Sequence, residues 1–289
     1  KTFFGLIGPD EKADPSAPLG CVMVSRILWT FSAAWQHYPT VIYRTMADEA
    51  FRILTTLFHD KEYGGYYWEV TPEGIPVNDS KQYYAQSFVI YALSEYARVF
   101  GHREAGDMAE SIFHLLEKYA FDTSHGGYFE ASSRDWQGAA PDFITPQKGV
   151  ARKSMNTHLH ILEACTNLYR LNPLPEVAAK ITHVLNLFTD HIINRENHHF
   201  HMFFDNDWTV TSTSVSYGHD IEGTWLLHEA AEVLGDHLLE DKLLPMITAM
   251  AKAVGREALD PSGGVYNESD GGHLDRDFHW WPQAEAVVG

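Results

Sequence analysis

The segment Ser216 to Glu222, Ser-Tyr-Gly-His-Asp-Ile-Glu, places an imidazole and a carboxylate three residues apart, His219 and Glu222. On an α-helix this spacing stacks the two side chains on one face. Ser216 and Gly218 are typical of the turn before a helix, so we expect His219 in or beside the first helical turn. There the helix dipole disfavours imidazolium, which keeps the ring a neutral base near pH 7. The segment therefore predicts a general base that a neighbouring carboxylate orients.

Other groups able to bind or polarise a ligand begin further predicted helices. Each alone has a structural explanation, since an arginine can form a buried ion pair and a tyrosine or tryptophan can belong to the core. Their common position at successive helix starts instead indicates one shared site. These residues are Arg26, Tyr84, Asn156, His160, Trp280, Trp281, Gln283 and Glu285.

The chain contains 17 histidines, yet their spacing gives little indication of a metal site. His158 and His160 are two apart, which on a helix separates them by about 200°, so they cannot share an ion. In the segment from His198, the side chains of His199 and His201 would share a strand face, which allows a weak surface metal site. The sequence has no phosphate-binding glycine loop, no Gly-x-Ser-x-Gly elbow and no dinucleotide fingerprint. We therefore expect neither a metal nor a cofactor.

Self-similarity along the chain indicates the architecture that would position these groups. Four segments share a two-residue turn that enters a short strand, and they begin at Gly64, Gly126, His198 and Gly263. Their spacings of 62, 72 and 65 residues fit a helix pair plus a hairpin better than the common solenoid repeats. A helical apolar period predicts helices near 21–38, 41–58, 83–99, 103–119, 157–171, 174–193, 219–234 and 238–257, and another from 280.

Charge divides these predicted helices into two sets. The first helices of the pairs contain 9 charged residues in total, whereas the second helices contain 19. Helices that pack on two sides carry few charges, and helices that face water carry many. The alternation predicts concentric inner and outer rings, an all-α toroid with short β-hairpins between helix pairs. A linear array of helix pairs would show the same alternation, so closure is an inference. In a ring, all inner helices run the same way, and their N-terminal ends would meet around one polar cavity.

Composition excludes several classes of function. The formal charge of −18 argues against nucleic acid, because a phosphate backbone is bound by clustered Lys and Arg. No apolar run is long enough for a bilayer, so we expect no membrane partner. Cys21 and Cys165 lie in apolar helical patterns without metal-ligand spacing, which predicts reduced core thiols in a cytoplasmic protein. The expected partner is a small molecule, and the expected state is a monomer or a weak homo-oligomer.

Five segments of the chain resemble the N-acylglucosamine 2-epimerase family, and within it the cellobiose 2-epimerases. They extend nearly from end to end, and the Met-Asn-Thr-His-Leu-His run from Met155 is the most specific. Family members that act on N-acetylated sugars or free mannose differ in that run, which favours the disaccharide branch. The segments are Ser25–Ser32, Tyr84–Phe88, Lys153–Ala164, Ser216–Glu222 and His279–Ala286.

The resemblance implies an (α/α)6 barrel that forms one catalytic domain over residues 1–289. The family's second catalytic histidine lies in a Pro-Tyr-His-Asn-Gly-Arg type segment, which these 289 residues do not contain. The chain begins at Lys1 in an aromatic segment and stops at Gly289 inside a predicted helix. We therefore expect a barrel truncated at both ends, without the family's N-terminal helix and C-terminal segment.

The implied reaction is 2-epimerisation, which interconverts reducing-end glucose and mannose units of β-1,4-linked disaccharides. Once the sugar ring opens, the C2 hydrogen is α to a carbonyl and its removal gives an enediolate. Inversion then needs two acid/base groups on opposite faces of C2. The expected roles are catalytic for His219, Glu222, His160 and Arg26, and substrate-binding for Tyr84, Asn156, Trp281 and Trp280.

Four other activities fit the same residues. An aldose-ketose isomerase would return the proton to C1, and an N-acylglucosamine 2-epimerase would use the same chemistry on another sugar. A glycoside hydrolase would use two carboxylates, Glu222 with Glu285 or Asp220. A non-catalytic relative would bind sugar or a protein partner without turnover.

Overall fold

Paired helices follow one another along the chain, as the apolar period predicts. The structure is a computed structural model that describes residues 3–140 and 152–289. Short π-helical turns, Leu54–Phe58 and Phe188–Ile192, extend the second and sixth helices, which explains the longer helices predicted there. The helices are α1 (Cys21–His37), α2 (Val41–Ile53), α3 (Tyr83–Phe100), α4 (Arg103–Tyr119), α5 (Met155–Leu171), α6 (Pro175–Leu187), α7 (Tyr217–Leu234), α8 (His237–Glu257) and α9 (Trp280–Val288). The predicted all-α class is confirmed.

Residues at the helix ends explain several of these boundaries. Gly101 and Gly235 end α3 and α7 in the left-handed conformation, with φ of 66° and 69°, which glycine adopts without steric cost. The Asp236 side chain caps α8 by accepting a hydrogen bond from the Leu239 amide. Pro175 occupies the first position of α6, where a helix needs no amide hydrogen.

The contacts of the chain fall into two compact units, and each is described separately. The first unit comprises Lys1–Phe121, Phe129–Ile144 and Asn167–Pro173. The second comprises Asp122–Tyr128, Thr145–Thr166 and Leu174–Gly289. In the first unit α1 packs on α2 and α3, and α3 packs on α4; in the second, α7 packs on α6, α8 and α9. The single domain expected over residues 1–289 stays a prediction.

Burial follows the charge difference between the helices of each pair. In the first unit, 13 of the 18 residues of α3 are buried, against 6 of the 17 residues of α4. In the second unit, 11 of the 18 residues of α7 are buried, against 6 of the 21 residues of α8. The charge-poor helix of each of these pairs therefore supplies the core. Within the part of the chain that the structure describes, no helix has the length and apolarity that crossing a bilayer requires.

Short antiparallel strands connect the helices within each unit. In the first unit, β1 pairs with β2, β2 with β3, and β4 with β5. In the second, β6 pairs with β7, and β9 pairs with both β8 and β10. Because α3, α5 and α7 begin directly after β4, β6 and β8, backbone pairing fixes the point at which each of these helices starts. The strands are β1 (Leu19–Gly20), β2 (Glu69–Val70), β3 (Pro76–Asn78), β4 (Lys81–Gln82), β5 (Ala131–Ser132), β6 (Lys153–Ser154), β7 (Phe203–Phe204), β8 (Val215–Ser216), β9 (Glu268–Asp270) and β10 (His273–Asp275).

One hydrogen bond recurs in all four predicted hairpins and relates each hairpin to a helix. The acceptor is the side chain at the fourth position of α3, α5, α7 or α9, and the donor is the first strand amide after the turn. Donor and acceptor are 2.8 to 2.9 Å apart in every case. The pairs are Tyr66 N with Gln86 Oε1, Tyr128 N with His158 Nε2, Phe200 N with Asp220 Oδ1, and Val265 N with Gln283 Oε1.

The turns themselves are longer than the two residues predicted. In the first, the Asp60 amide donates to the Gly65 carbonyl, and the Gly64 amide donates to the Asp60 carbonyl. The Asp60 side chain also accepts from the Glu62 amide. An Asp or Asn four residues before the predicted turn, or three in the last hairpin, therefore starts each loop, because its short side chain satisfies the turn's own amides. The equivalent residues are Asp122, Asn194 and Asp260.

Two buried lysines hold loops of this kind in place. Lys81 Nζ lies 2.9 Å from Asp60 Oδ2, and both side chains are fully buried. Arg134 adds a second cation to the same carboxylate at 2.9 Å. In the second unit, Lys153 Nζ lies 2.8 Å from Asp122 Oδ2. Burial alone would raise the pKa of Asp60, but the hydrogen bonds from Arg134 and Lys81 hold it well below its ordinary value.

Candidate active site

His219 lies in the first turn of α7, as predicted, and is partly exposed. Its Nδ1 atom is 2.7 Å from Oγ of Ser216, the last residue of β8. Its ring also contacts the Trp281 ring, with centroids 4.8 Å apart and planes inclined by 59°. A hydrogen bond on one side and an aromatic ring on the other thus hold the imidazole in a defined orientation.

The surroundings of His219 keep the ring neutral. Burial lowers the pKa of His219 to about 3, and the nearby His160 ring adds to the decrease. The imidazole is therefore neutral and carries a free lone pair at pH 7. Because Nδ1 faces Ser216, transfer of a proton to or from a ligand falls to Nε2.

His160 and Glu222 lie together in the same unit. Nε2 of His160 is 3.9 Å from Oε1 of Glu222, and Nδ1 of His160 is 2.8 Å from Oε2 of Glu163. Ser216 holds Nδ1 of His219, and the Glu222 carboxylate approaches His160, so the orienting role of Glu222 toward His219 stays a prediction. Ser216 is the last residue of the strand that precedes the helix, three positions before His219.

Ser216 and Glu163, which are not among the predicted site residues, thus orient the two histidines. A local signal existed for Glu163, because the spacing His-x-x-Glu occurs twice, at His160 and at His219. For Ser216 the signal was its position three residues before the histidine, which suits the start of a helix.

Gly218 permits the contact between Trp281 and His219. A Cβ atom at this position would overlap the Trp281 ring and touch Pro282. The glycine is therefore required by the close approach of α9 to the first turn of α7. Trp280, in contrast, is 76% exposed, so only one of the two adjacent tryptophans is brought to His219.

The remaining predicted residues of the second unit divide into two kinds. Oδ1 of Asn156 is buried and has no hydrogen-bond partner among the described residues. Gln283 instead forms hydrogen bonds with the backbone amide and carbonyl of Val265 in the last hairpin. Glu285 accepts a hydrogen bond from the Trp225 indole. Gln283 and Glu285 therefore have structural partners that sequence patterns alone did not indicate.

Arg26 and Tyr84 lie in the first unit, where Phe88 brings them together. The Arg26 guanidinium stacks 4.6 Å from the centre of the Phe88 ring, and the Tyr84 ring is 4.9 Å from it. Arg26 is exposed, whereas Phe88 is buried. The site shared by these two residues with His219 stays a prediction.

The histidine-rich hairpin is organised differently from the weak metal site considered for it. His199 is buried, with carboxylates on both ring nitrogens, so it does not share an exposed strand face with His201. His158 is also buried; its ring accepts the Tyr128 amide, and burial lowers its pKa to about 4. Among the described residues, the potential metal-ligand atoms that lie within 4.8 Å of one another belong to Asp275, Asp277 and His279.

Comparison with known proteins gives a consistent result over the full chain. The family model of N-acylglucosamine 2-epimerase matches residues 2–289. A protein named cellobiose 2-epimerase from Bacteroides fragilis is 43% identical over 289 residues, which cover 99% of this chain and 74% of that protein.

Solved structures agree with this match. The cellobiose 2-epimerase from Bacillus thermoamylovorans B4167 is 34% identical and has a TM-score of 0.96, covering 99% of this chain and 73% of that one. The cellobiose 2-epimerase from Spirochaeta thermophila DSM 6192 is 38% identical with a TM-score of 0.90, covering 99% and 71%. The predicted fold class, an α/α toroid, and the predicted enzyme class, a carbohydrate epimerase, are confirmed. The chain belongs to the N-acylglucosamine 2-epimerase family.

Proposed function

We propose that this protein epimerises the reducing-end sugar of β-1,4-linked disaccharides at C2, converting cellobiose to glucosyl-mannose. The observation that carries the proposal is the state of His219: a neutral imidazole with Nδ1 held by Ser216 and its ring against Trp281. Such a group can take a proton from carbon through Nε2 without reorienting. The 43% identity to a protein named cellobiose 2-epimerase supports the disaccharide as substrate.

The proposed reaction begins with the open-chain aldehyde of the reducing-end sugar. Nε2 of His219 removes the proton from C2, and the electron pair moves onto the carbonyl to give an enediolate. A second acid/base group then returns a proton to the opposite face of C2; by the family resemblance this is the histidine of the Pro-Tyr-His-Asn-Gly-Arg type segment, which these 289 residues do not contain. Two acid/base groups are needed because one imidazole reaches only one face of the planar intermediate.

The neighbours of His219 suit the other steps. His160, bonded to Glu163 and near Glu222, can exchange a proton with the ring oxygen or O1 during ring opening. The unpaired Oδ1 atom of Asn156 can accept a hydrogen bond from a sugar hydroxyl. Trp281 offers a flat apolar face of the kind on which sugar rings stack.

Arg26 and Tyr84, in the first unit, keep the roles that the family resemblance implies for them, a cation and a hydroxyl able to stabilise charge on sugar oxygens. Their assignment rests on the resemblance of their segments to the family. The binding role of Trp280 stays a prediction, and its side chain is largely exposed.

The alternative of a glycoside hydrolase is disfavoured by the partners of its candidate carboxylates. Asp220 binds His199 and the Phe200 amide, and Glu285 binds the Trp225 indole. A hydrolase needs one protonated and one free carboxyl group on either side of a glycosidic bond. Neither Asp220 nor Glu285 is free to serve in that way.

We further infer that the protein acts on small sugars in the cytoplasm without a cofactor, as a monomer or weak homo-oligomer. Proton transfer between carbon and imidazole needs no redox group. Two buried free thiols suit a reducing compartment, and the charge of −18 disfavours nucleic acid. Full activity after dialysis against a chelator, together with sedimentation analysis, would test the cofactor and the oligomeric state.

The decisive experiment is incubation with cellobiose in heavy water, followed by NMR of the reducing-end sugar. We expect deuterium at C2 and the appearance of glucosyl-mannose. N-Acetylglucosamine in a parallel reaction tests the other branch of the family, and should exchange far more slowly.

Each rival activity has a distinct product in the same experiment. A ketose would identify an aldose-ketose isomerase, and free glucose would identify a hydrolase. Binding measured by calorimetry without deuterium at C2 would identify a non-catalytic relative. Any of these three results contradicts the proposed epimerase.

A further inference from the structure

His199 occupies a position that is glycine in the other three hairpins. The second residue of the turn is Gly65, Gly127 and Gly264 in those hairpins. In each, a Cβ atom would overlap an aromatic ring, which leaves room for no larger side chain there. The hairpin next to His219 is therefore the one in which a titratable side chain replaces glycine. The overlapped ring is Trp136 for Gly65, Trp208 for Gly127 and Phe278 for Gly264.

The His199 ring connects three elements of the second unit. Nδ1 of His199 is 2.7 Å from Oδ2 of Asp220 in α7, and Nε2 is 2.9 Å from Oε2 of Glu257 in α8. The ring also meets Tyr217 edge to face, with centroids 5.8 Å apart. The hairpin, the first turn of α7 and the last turn of α8 are thus joined through one buried side chain.

The two contacts require a charged ring. Burial raises the pKa of Asp220, but Asp220 and Glu257, once ionised, only accept hydrogen bonds, so both ring nitrogens donate, which is the imidazolium form. Burial alone would lower the pKa of His199, but Asp220 and Glu257 together raise it above its ordinary value. The other charged group at this end of α8 is Arg256, which pairs with Glu257. A buried imidazolium between two carboxylates is a strong and geometrically selective contact.

Asp220 relates this contact to the active site because it directly follows His219 in the first turn of α7. Its other oxygen accepts the Phe200 amide at 2.8 Å. The Phe200 ring in turn fills the space left by the missing side chain of Gly223, one turn further along α7. Three contacts from one hairpin therefore fix the rotation of the first turn of α7, and with it the direction of the His219 ring.

We propose that His199 is a positioning residue for His219: as an imidazolium held between Asp220 and Glu257, it locks the first turn of α7 in the orientation that catalysis requires. This inference rests on the proposed epimerase function for its kinetic consequence. Its structural consequence does not depend on activity.

The kinetic test compares His199→Gln with the wild-type protein in the deuterium exchange of cellobiose. We expect kcat to fall roughly 10-fold while KM changes less than about twofold, because the loss is one of alignment rather than of binding. In the wild type, kcat should also decline at alkaline pH, at the pH where His199 loses its proton. That decline should be absent in His199→Gln.

Glu257→Gln provides a second variant for the case in which His199→Gln fails to fold. Glu257 lies at the edge of the contact, with about a third of its side chain exposed. Removing one carboxylate lowers the pKa of His199, so the alkaline decline in kcat should move to lower pH. A decline that stays in place or moves to higher pH overturns the inference.

A second readout separates this inference from the proposed function. In an NMR titration, the His219 Cε1 proton should shift at the pH where His199 titrates, and Glu257→Gln should move that shift to lower pH. Absence of C2 exchange in the wild type would contradict the function and leave this titration to decide the role of His199. If the His219 resonance does not shift when His199 titrates, the positioning role is wrong.

Val177→Ala serves as the matched control for loss of stability. Val177 is fully buried in the first turn of α6, in the same unit, and has no polar role. It should lower the thermal midpoint while leaving both the kcat profile and the His219 titration unchanged. If Val177→Ala reproduces the effects of His199→Gln, His199 has only a general structural role.

Discussion

Oγ of Ser216 lies 2.7 Å from Nδ1 of His219, across the start of α7. Ser216 is opposite Glu268 in the pairing of β8 with β9, so a backbone-paired strand anchors the hydroxyl. The Ser216 hydroxyl, which has little freedom to move, therefore orients the imidazole. This contact makes Nε2 the reactive nitrogen.

Replacing His219 by Asn should abolish deuterium exchange at C2. The amide keeps a polar side chain of similar size but has no lone pair of comparable basicity, so we expect a loss of at least ~10²-fold in kcat. The thermal midpoint should change little, because His219 is partly exposed. A variant that exchanges C2 at the wild-type rate would remove His219 from the mechanism.

Replacing Ser216 by Ala should lower kcat roughly 10-fold with little change in KM. The imidazole would lose the contact that sets its direction. Ser216→Thr retains the hydroxyl and is the matched control, so it should keep most of the activity. Equal losses in both variants would show that the hydroxyl does not orient His219.

Replacing Gly218 by Ala should displace Trp281 from His219. The added methyl group overlaps the tryptophan ring, so KM for cellobiose should rise and the His219 Cε1 resonance should move as the ring current changes. Gly255→Ala is the control, because a Cβ there meets no atom within 4 Å in α8. That variant should be stabilised by up to about 1 kcal/mol with unchanged kinetics.

The stability of the protein should depend on the buried carboxylate of Asp60 at acid pH. The pKa of Asp60 is lowered in the folded protein, so its stabilisation is complete above the ordinary Asp value of about 3.9. This stabilisation is lost progressively as pH falls below that value, because Asp60 takes up its proton at a higher pH in the unfolded state than in the folded state. The free energy of unfolding, measured with denaturant from pH 7 to pH 2, should show this decline.

Asp60→Asn is the comparison for that measurement. It leaves Lys81 buried without its carboxylate, which costs about 3–5 kcal/mol at pH 7. Its stability should fall less steeply with acid than that of the wild type. Parallel acid profiles in the two proteins would assign the decline to other groups.

Much of the fold follows from local patterns. The apolar period located the helices because burial of one face is encoded within each helix itself. The same reasoning separated α3 and α7, which form the core, from α4 and α8, which carry the charges. The position of His219 at a helix start likewise follows from its neighbours in sequence, whereas its low pKa comes from burial and from the His160 ring of another helix.

Contacts between distant residues are what the sequence left undecided. Glu222 stands three residues from His219, yet its carboxylate approaches His160 in another helix. His199 bonds to residues 21 and 58 positions away, and Lys81 to one 21 positions away. Spacing along the chain predicts only which side chains share an element. Which carboxylate meets which ring is decided when the elements pack, because only packing brings the partners within hydrogen-bond distance and removes the water that would otherwise solvate them.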